Sequence, residues 1–222
     1  MSGAPESISD VLRALTVFPA ELPAFDTQSA PGDPVTLFLT WLRDAIRDQV
    51  PGPHAMTLAT ADSTGRVSSR VLLCRDVDEA GCWYFASSAG SRKGRELAAS
   101  PRAALSFYWP QQGRQIRIRG TAAPVPSQDS AADFLARSPA SRAEALTGRQ
   151  SEPLDDLAEL DEALRRAQAE IAVNPGLIAP DWTLYALSAD DVEFWQADHQ
   201  RRHIRLQYQR GAGAWTRHLL WP

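Results

Sequence analysis

The chain has 222 residues, 44% of them hydrophobic, and a formal net charge of −4. That length supports one sizeable core, and the acidic balance argues against sequence-independent nucleic-acid binding, which needs a net basic face. No apolar run reaches the roughly 20 residues that span a bilayer, and the N-terminal stretch carries no signal-peptide core. A cytoplasmic protein with neither membrane nor nucleic-acid partner is therefore expected.

Residues 1–33 mix Pro, Ser, Ala and Asp without periodicity and read as an irregular arm ahead of one domain over 34–222. A helix is expected over 34–49, where Leu37, Trp41, Ala45 and Ile46 recur at helical spacing behind Asp33 as N-cap. The texture then changes to short β-rich runs, "AMTLATAD", "RVSSRVLLCRDV", "CWYFASS", "RAALSFYW" and "RQIRIRGTAAPV", broken by "DSTG", "DEAG" and "QQG". Runs at this spacing predict an antiparallel sheet or barrel. Helices are expected over 91–100, 127–137 and 151–172, and the chain closes on the strand-like "WTLYALS", "DVEFW", "RRHIRLQYQR" and "GAWTRHLL". The fold class is α+β, a barrel-like sheet carrying helices. Cys74 and Cys82 are too few for a disulfide framework or a structural zinc, so buried free thiols are expected.

Positive charge gathers locally. In "EFWQADHQRRHIRLQYQR" the alternation of Ile204, Leu206 and Tyr208 predicts a strand whose other face carries Arg201, His203, Arg205 and Gln207. Such a row either points at water or meets an anion. His199 and His203 stand four apart, but strand alternation rules against a helical metal pair. In "AGSRKGRELAAS", Ser91 is a good N-cap, yet Arg92 and Lys93 sit in the first turn, where the helix dipole disfavours cations. A docked phosphate would account for them. In "RQIRIRG", Gln115, Arg117 and Arg119 share a face, and the Gln115 amide suits a heterocycle with donor and acceptor edge atoms. Ser151 is read as the N-cap of the helix that follows. No G-x-G-x-x-G, Walker loop or G-x-S-x-G elbow is present.

In order and spacing, "DPVTLFLTWL", "MTLATADSTGRVSSRVLLCR", "GSRKGREL", "RQIRIRG", "RQS" and "VEFWQADHQRRHIR" resemble the pyridoxamine 5'-phosphate oxidase family of FMN-binding split barrels, across residues 33–222. The resemblance implies an antiparallel split β-barrel and a homodimer with two FMN sites at its interface. It implies an oxidase in which flavin accepts a hydride and O₂ is reduced to H₂O₂. It places flavin contacts on Arg70, Val71, Leu72, Leu73, Arg92, Lys93, Gln115, Gln150, Ser151, Trp195 and Arg205. Substrate contacts fall on Arg75, Arg137, Ser141, Arg201 and His203, the last two as the catalytic pair. A flavin contact at Ala86 or Ser87 stays open, because "YFASSAGSRK" is one residue longer than the family norm.

The departures bear on the substrate. Asp133 stands where the vitamin B6 enzymes carry a phosphate-binding tyrosine, and a carboxylate there would repel a substrate phosphate. The arm lacks their Arg-x-x-Tyr, and "ESISD" through "FPAELPAFDTQSAPGDP" looks closer to the arm of the phenazine-biosynthesis flavin oxidases. The leading expectation is an FMN-dependent oxidase of a reduced, phenazine-type aromatic heterocycle. The alternatives are a pyridoxamine/pyridoxine 5'-phosphate oxidase and a non-catalytic flavin-binding module.

Overall fold

Nine strands and six α-helices alternate along residues 7–222, the part of the chain that the computed structural model describes. The strands are β1 (Ala55–Ala61), β2 (Val67–Leu73), β3 (Asp76–Val77), β4 (Cys82–Ser88), β5 (Arg102–Trp109), β6 (Arg114–Pro124), β7 (Trp182–Gln196), β8 (Ile204–Arg210) and β9 (Trp215–Leu219). They form one antiparallel sheet in the order β2-β1-β5-β6-β7-β4-β3, with β8 on β7 and β9 on β8. The 15-residue β7 pairs with β6 along one edge. Its other edge is shared end to end: β4 takes the first half and β8 the second. The fold is an antiparallel split β-barrel with peripheral helices, as the strand runs and their resemblance led one to expect.

Period-two alternation decides what is inside. Met56, Leu58, Leu105, Phe107, Ile116, Ile118, Val192, Phe194, Leu206 and Tyr208 point inward and are buried. Helix α2 (Pro34–Arg47) plugs that interior with Phe38, Trp41 and Ala45. Phe38 meets Phe107 and Trp83 edge-on at 5.0 and 5.6 Å. The Asp33 carboxylate accepts the Thr36 N–H at 2.8 Å, a cap worth about 1 kcal/mol. Gly120 sits at the bulge where β6 slips against β7, because a side chain there would collide with the Ser188 carbonyl.

Some expectations fail in instructive ways. "WTLYALS" and "DVEFW" are one strand, since the bulge lets pairing continue through Ala189–Asp190. The arm is not wholly irregular: α1 (Ile8–Ala14) is capped by Ser7 and braced by an Arg13–Asp10 ion pair. The 127–137 segment yields α4 (Ser127–Leu135). A further helix, α5 (Pro139–Leu146), follows on a Ser138 cap with Pro139 in its first turn. Helix α6 (Leu157–Val173) starts later than expected, at Asp156, whose carboxylate accepts the Ala158 N–H. Cys74 and Cys82 are free but half-buried, and burial pushes the Cys74 thiol up to about 12. Among the described residues no helix is long and apolar enough to cross a membrane.

Candidate functional site

Helix α3 (Arg92–Ala99) begins at the end of β4, and the turn between them gathers cations. Gly94 allows this approach, since a side chain there would strike the Ala89 backbone. Lys93 is buried at 7% exposure, and its ammonium donates to Ser87 Oγ (2.8 Å), Ser91 Oγ (3.1 Å) and Gln150 Oε1 (3.0 Å). No carboxylate lies within ion-pairing distance of it among the described residues. Burial, seconded by Arg70, lowers its pKa to about 8. A buried charge is ordinarily paired, so this arrangement is chemically suited to holding an anion. Ser87 thus enters the site, while Ala86 lines the neighbouring cavity.

Ser151 does not cap α6. Its backbone is left-handed (φ 80°), which aims its hydroxyl at α3 to accept the Arg92 N–H at 3.1 Å. Ser151 and Arg201 are two of the three non-glycine residues with positive φ among the described residues, and such strained positions concentrate at functional sites.

Beside this corner lies a cavity of about 230 Å³ lined by Val71, Leu72, Leu73, Arg75, Arg137 and Gln150, together with Ala86, Ser87, Glu144 and Trp182. Arg137 lies 4.0 Å over the Trp182 ring, and its Nε and Nη1 are buried without a hydrogen-bond partner. Burial, then Arg75, pulls its pKa down. Asp133 stands behind the wall: its carboxylate accepts the Trp182 Nε1–H at 2.9 Å and lies 3.6 Å from Arg75 Nε. Ser141 sits in the first turn of α5, bonded to Ser138, and does not line the cavity.

The other expected residues lie on the outer face of β6, β7 and β8. Register puts Tyr108, Gln115, Trp195 and Arg205 in one cross-strand row. The expected row Arg201–His203–Arg205–Gln207 is not formed, because β8 starts only at Ile204. Arg201 belongs to the preceding turn, its N–H bonded to the Asp198 carbonyl. That turn is wound around Asp198, which accepts the Gln200 and Arg202 N–H groups. His203 packs at a tilt against Trp195, ring centroids 4.9 Å apart, and its Nδ1 accepts the Asp198 N–H. The proton of its neutral form therefore sits on Nε2. Phe18 of the arm packs on both rings, 5.9 Å from Trp195 and 6.2 Å from His203.

Arg205 donates to Glu193 at 2.8 Å, Arg117 also pairs with Glu193, and Arg119 pairs with Asp191 at 3.0 Å. Burial works to raise the Glu193 pKa, but the hydrogen bonds from Arg205 and Arg117 prevail and hold it below the usual value. No hydrogen bond or ion pair joins this face to the α3 corner among the described residues, although the expected flavin contacts are divided between them. Sequence reasoning missed Glu96, Glu193 and Phe18. The one available signal was cross-strand: Glu193 and Asp191 alternate on β7 opposite Arg117 and Arg119.

With this geometry in hand, the family profile for pyridoxamine 5'-phosphate oxidase matches residues 42–169. The chain belongs to the pyridoxamine 5'-phosphate oxidase family. A second profile, the pyridoxine 5'-phosphate oxidase C-terminal dimerisation region, matches residues 182–222, the part that carries Trp195, Arg201, His203 and Arg205. The pyridoxine/pyridoxamine 5'-phosphate oxidase of Pseudomonas paraeruginosa is 40% identical, covering 87% of this chain and 91% of its own. That of a Janthinobacterium is 38% identical over 97% and 100%. The crystal structure of PhzG from Burkholderia lata in complex with tetrahydrophenazine-1-carboxylic acid matches with a TM-score of 0.81. It is 34% identical and covers 90% of this chain and 99% of that one. The family resemblance read from the motifs therefore holds, and the chain is an enzyme of an oxidase family.

Proposed function

We propose that this protein is an FMN-dependent oxidase that works as a homodimer on a reduced, carboxylate-bearing aromatic heterocycle of phenazine type. The net reaction moves two electrons and two protons from the substrate to O₂, giving the aromatised product and H₂O₂. Bound FMN would supply the two-electron acceptor whose reduced form O₂ reoxidises. Lys93, Arg70 and the N-terminus of α3, with Ser151, would hold its phosphate, and the unpaired Lys93 ammonium is the feature that fits that group. Gln115, Trp195 and Arg205 would meet the ring from the other protomer. Two observations support that division: the split of the residues, and the apolar outer strip of β2, where Val67 is 72% and Val71 66% exposed.

The substrate reading is carried by one observation: Arg75 is already engaged by Asp133. A substrate phosphate placed between Arg75 and Arg137 would lie against that carboxylate and lose much of its attraction. A substrate whose only anion is a carboxylate needs a single cation. Arg201, with its exposed side chain, and the Nε2–H of His203 are the groups available to it beside Trp195. Phe18 would shield the rings from water. The second reading is a pyridoxine/pyridoxamine 5'-phosphate oxidase, favoured by the curated relatives and by Arg75 and Arg137 at one cavity. A flavin-binding module without turnover is the third.

The deciding experiment is anaerobic mixing of the FMN-loaded protein with a dihydrophenazine carboxylate, pyridoxine 5'-phosphate and pyridoxamine 5'-phosphate, following the oxidised-flavin band. Bleaching by the first alone is expected. Bleaching by the phosphates would establish the second reading, and persistence with all three would establish the third.

A further inference from the structure

The α3 corner holds one acid that no flavin contact requires. Glu96, one helical turn after Arg92 and Lys93, is buried with its side chain 5% exposed. Its Oε2 accepts from Ser68 Oγ at 2.6 Å, from Thr60 Oγ1 and from Arg70 Nη2 at 3.3 Å, while its Oε1 accepts from Arg92 Nε at 2.9 Å. Arg70 is fixed further by Thr60 Oγ1 at 2.6 Å and the Leu58 carbonyl at 3.3 Å. Burial works to raise the Glu96 pKa, but Ser68, Thr60, Arg92 and Arg70 together take it down to about 2, so the group stays ionised.

We infer that Glu96 is a positioning residue that sets Arg70 and Arg92 for the phosphate of the cofactor, an inference that rests on reading this corner as the flavin-phosphate site. Two arguments carry it. The first is geometric. Arg70 comes from β2 and Arg92 from α3, two elements joined by no backbone pairing, and among the described residues Glu96 is the one carboxylate that bonds to both guanidinium groups. The second is electrostatic. Arg70, Arg92 and Lys93 bring three positive charges, and Glu96 removes one. The remaining two match a phosphate monoester, which carries close to two negative charges at neutral pH. Lys93, bonded only to neutral oxygens, keeps its charge free for the ligand, whereas the two arginines are held in place by Glu96.

The test compares FMN with riboflavin, which has the same ring and no phosphate. Full-length protein freed of flavin is titrated with each, following tryptophan fluorescence, for wild type, Glu96→Gln and Glu96→Asp. Thermal unfolding checks the fold of each variant. Loss of one charge-assisted hydrogen bond network predicts FMN binding weakened about tenfold or more in Glu96→Gln, with riboflavin binding within about twofold of wild type. Glu96→Asp keeps the charge but shortens the reach, and is expected to weaken FMN selectively as well. Unchanged or tighter FMN binding in either variant would overturn the inference, since net charge alone would then govern. Equal weakening of FMN and riboflavin, or failure of both variants to fold, would assign Glu96 to the scaffold and overturn it too. Wild type binding FMN no better than riboflavin would instead sink the reading of this corner as a phosphate site.

Discussion

The two basic regions look alike in sequence and differ in what faces the charge. On the outer sheet, Arg205 and Arg117 share Glu193, and Arg119 holds Asp191, so three guanidinium groups face two carboxylates and each makes an ion pair within the chain. At the α3 corner, the Lys93 ammonium is surrounded by hydroxyl and amide oxygens and has no carboxylate partner among the described residues. Matched arginines make a rigid hydrogen-bonding surface of little net charge, suited to the edge of a ring system. An unmatched buried ammonium costs desolvation energy until an anion arrives, which suits a phosphate. The lesson is that counting basic residues does not locate an anion site; counting the carboxylates opposite them does.

Lys93→Ala tests that distinction most severely. Loss of a charge-assisted bond to the phosphate is expected to weaken FMN binding roughly thirty- to a hundredfold. Riboflavin binding should barely move, and equal FMN affinity by fluorescence titration would break the comparison. Arg201 is the next case. It is exposed, left-handed in its backbone and makes no ion pair among the described residues, which suits the substrate-anion role proposed for it. Arg201→Ala is expected to lower turnover roughly ten- to thirtyfold with flavin retained. Unchanged turnover would remove it from the site.

The pH dependence of FMN binding follows from the same feature. Lys93 has its pKa lowered to about 8 before ligand binds, and the phosphate selects its protonated form. Below pH 8 the charged form already prevails, so affinity is flat until the phosphate itself protonates near its second pKa of about 6. Above pH 8 binding must take up a proton, and affinity is expected to fall by up to about tenfold per pH unit. Isothermal titration between pH 7 and pH 9 (roughly, the window that brackets the shifted value) reads it directly. Lys93→Ala should abolish the slope, and a slope that survives in the variant would assign it to another group.

How much of this was legible beforehand depended on whether the deciding contact was local. Ser91 capping α3, Asp33 capping α2 and the alternating core of β5 to β8 are encoded within a few residues, and the structure follows them. The row Gln115–Trp195–Arg205 was legible only through family resemblance, because it is assembled by register across three strands. The Arg201–His203–Arg205 row failed because alternation was extended three residues too far, to Arg201: Asp198 winds residues 198–202 into a turn, where a side chain overrides strand periodicity. Ser151 failed for a similar reason, since its hydroxyl bonds to a helix that starts 59 residues earlier. No single-sequence pattern marks such a contact.

The cavity between Arg75 and Arg137 holds a closely and a loosely paired cation side by side, and Asp133 behind it gives the smallest effect. Arg75 is matched by Asp133, whereas Arg137, 13% exposed in its side chain, reaches Glu144 only at 3.9 Å through Nη2 and has two further nitrogens without hydrogen-bond partners. Asp133→Asn should leave the Trp182 Nε1–H bond in place, because the amide oxygen can accept it, while removing the charge opposite Arg75. The full Coulomb energy of such a pair is about 4 kcal/mol at an effective dielectric near 20, but Arg75 is one-third exposed, and solvent reduces the usable part to about 1 kcal/mol. The expected outcome is a roughly fivefold rise in kcat/KM for pyridoxine 5'-phosphate, with the dihydrophenazine carboxylate and FMN affinity little changed. If the phosphate substrate gains nothing, Asp133 is a tether for Trp182 alone and the cavity does not discriminate by charge. If both substrates gain alike, the carboxylate also binds between Arg75 and Arg137, and the pairing of Arg201 with the substrate anion must be given up.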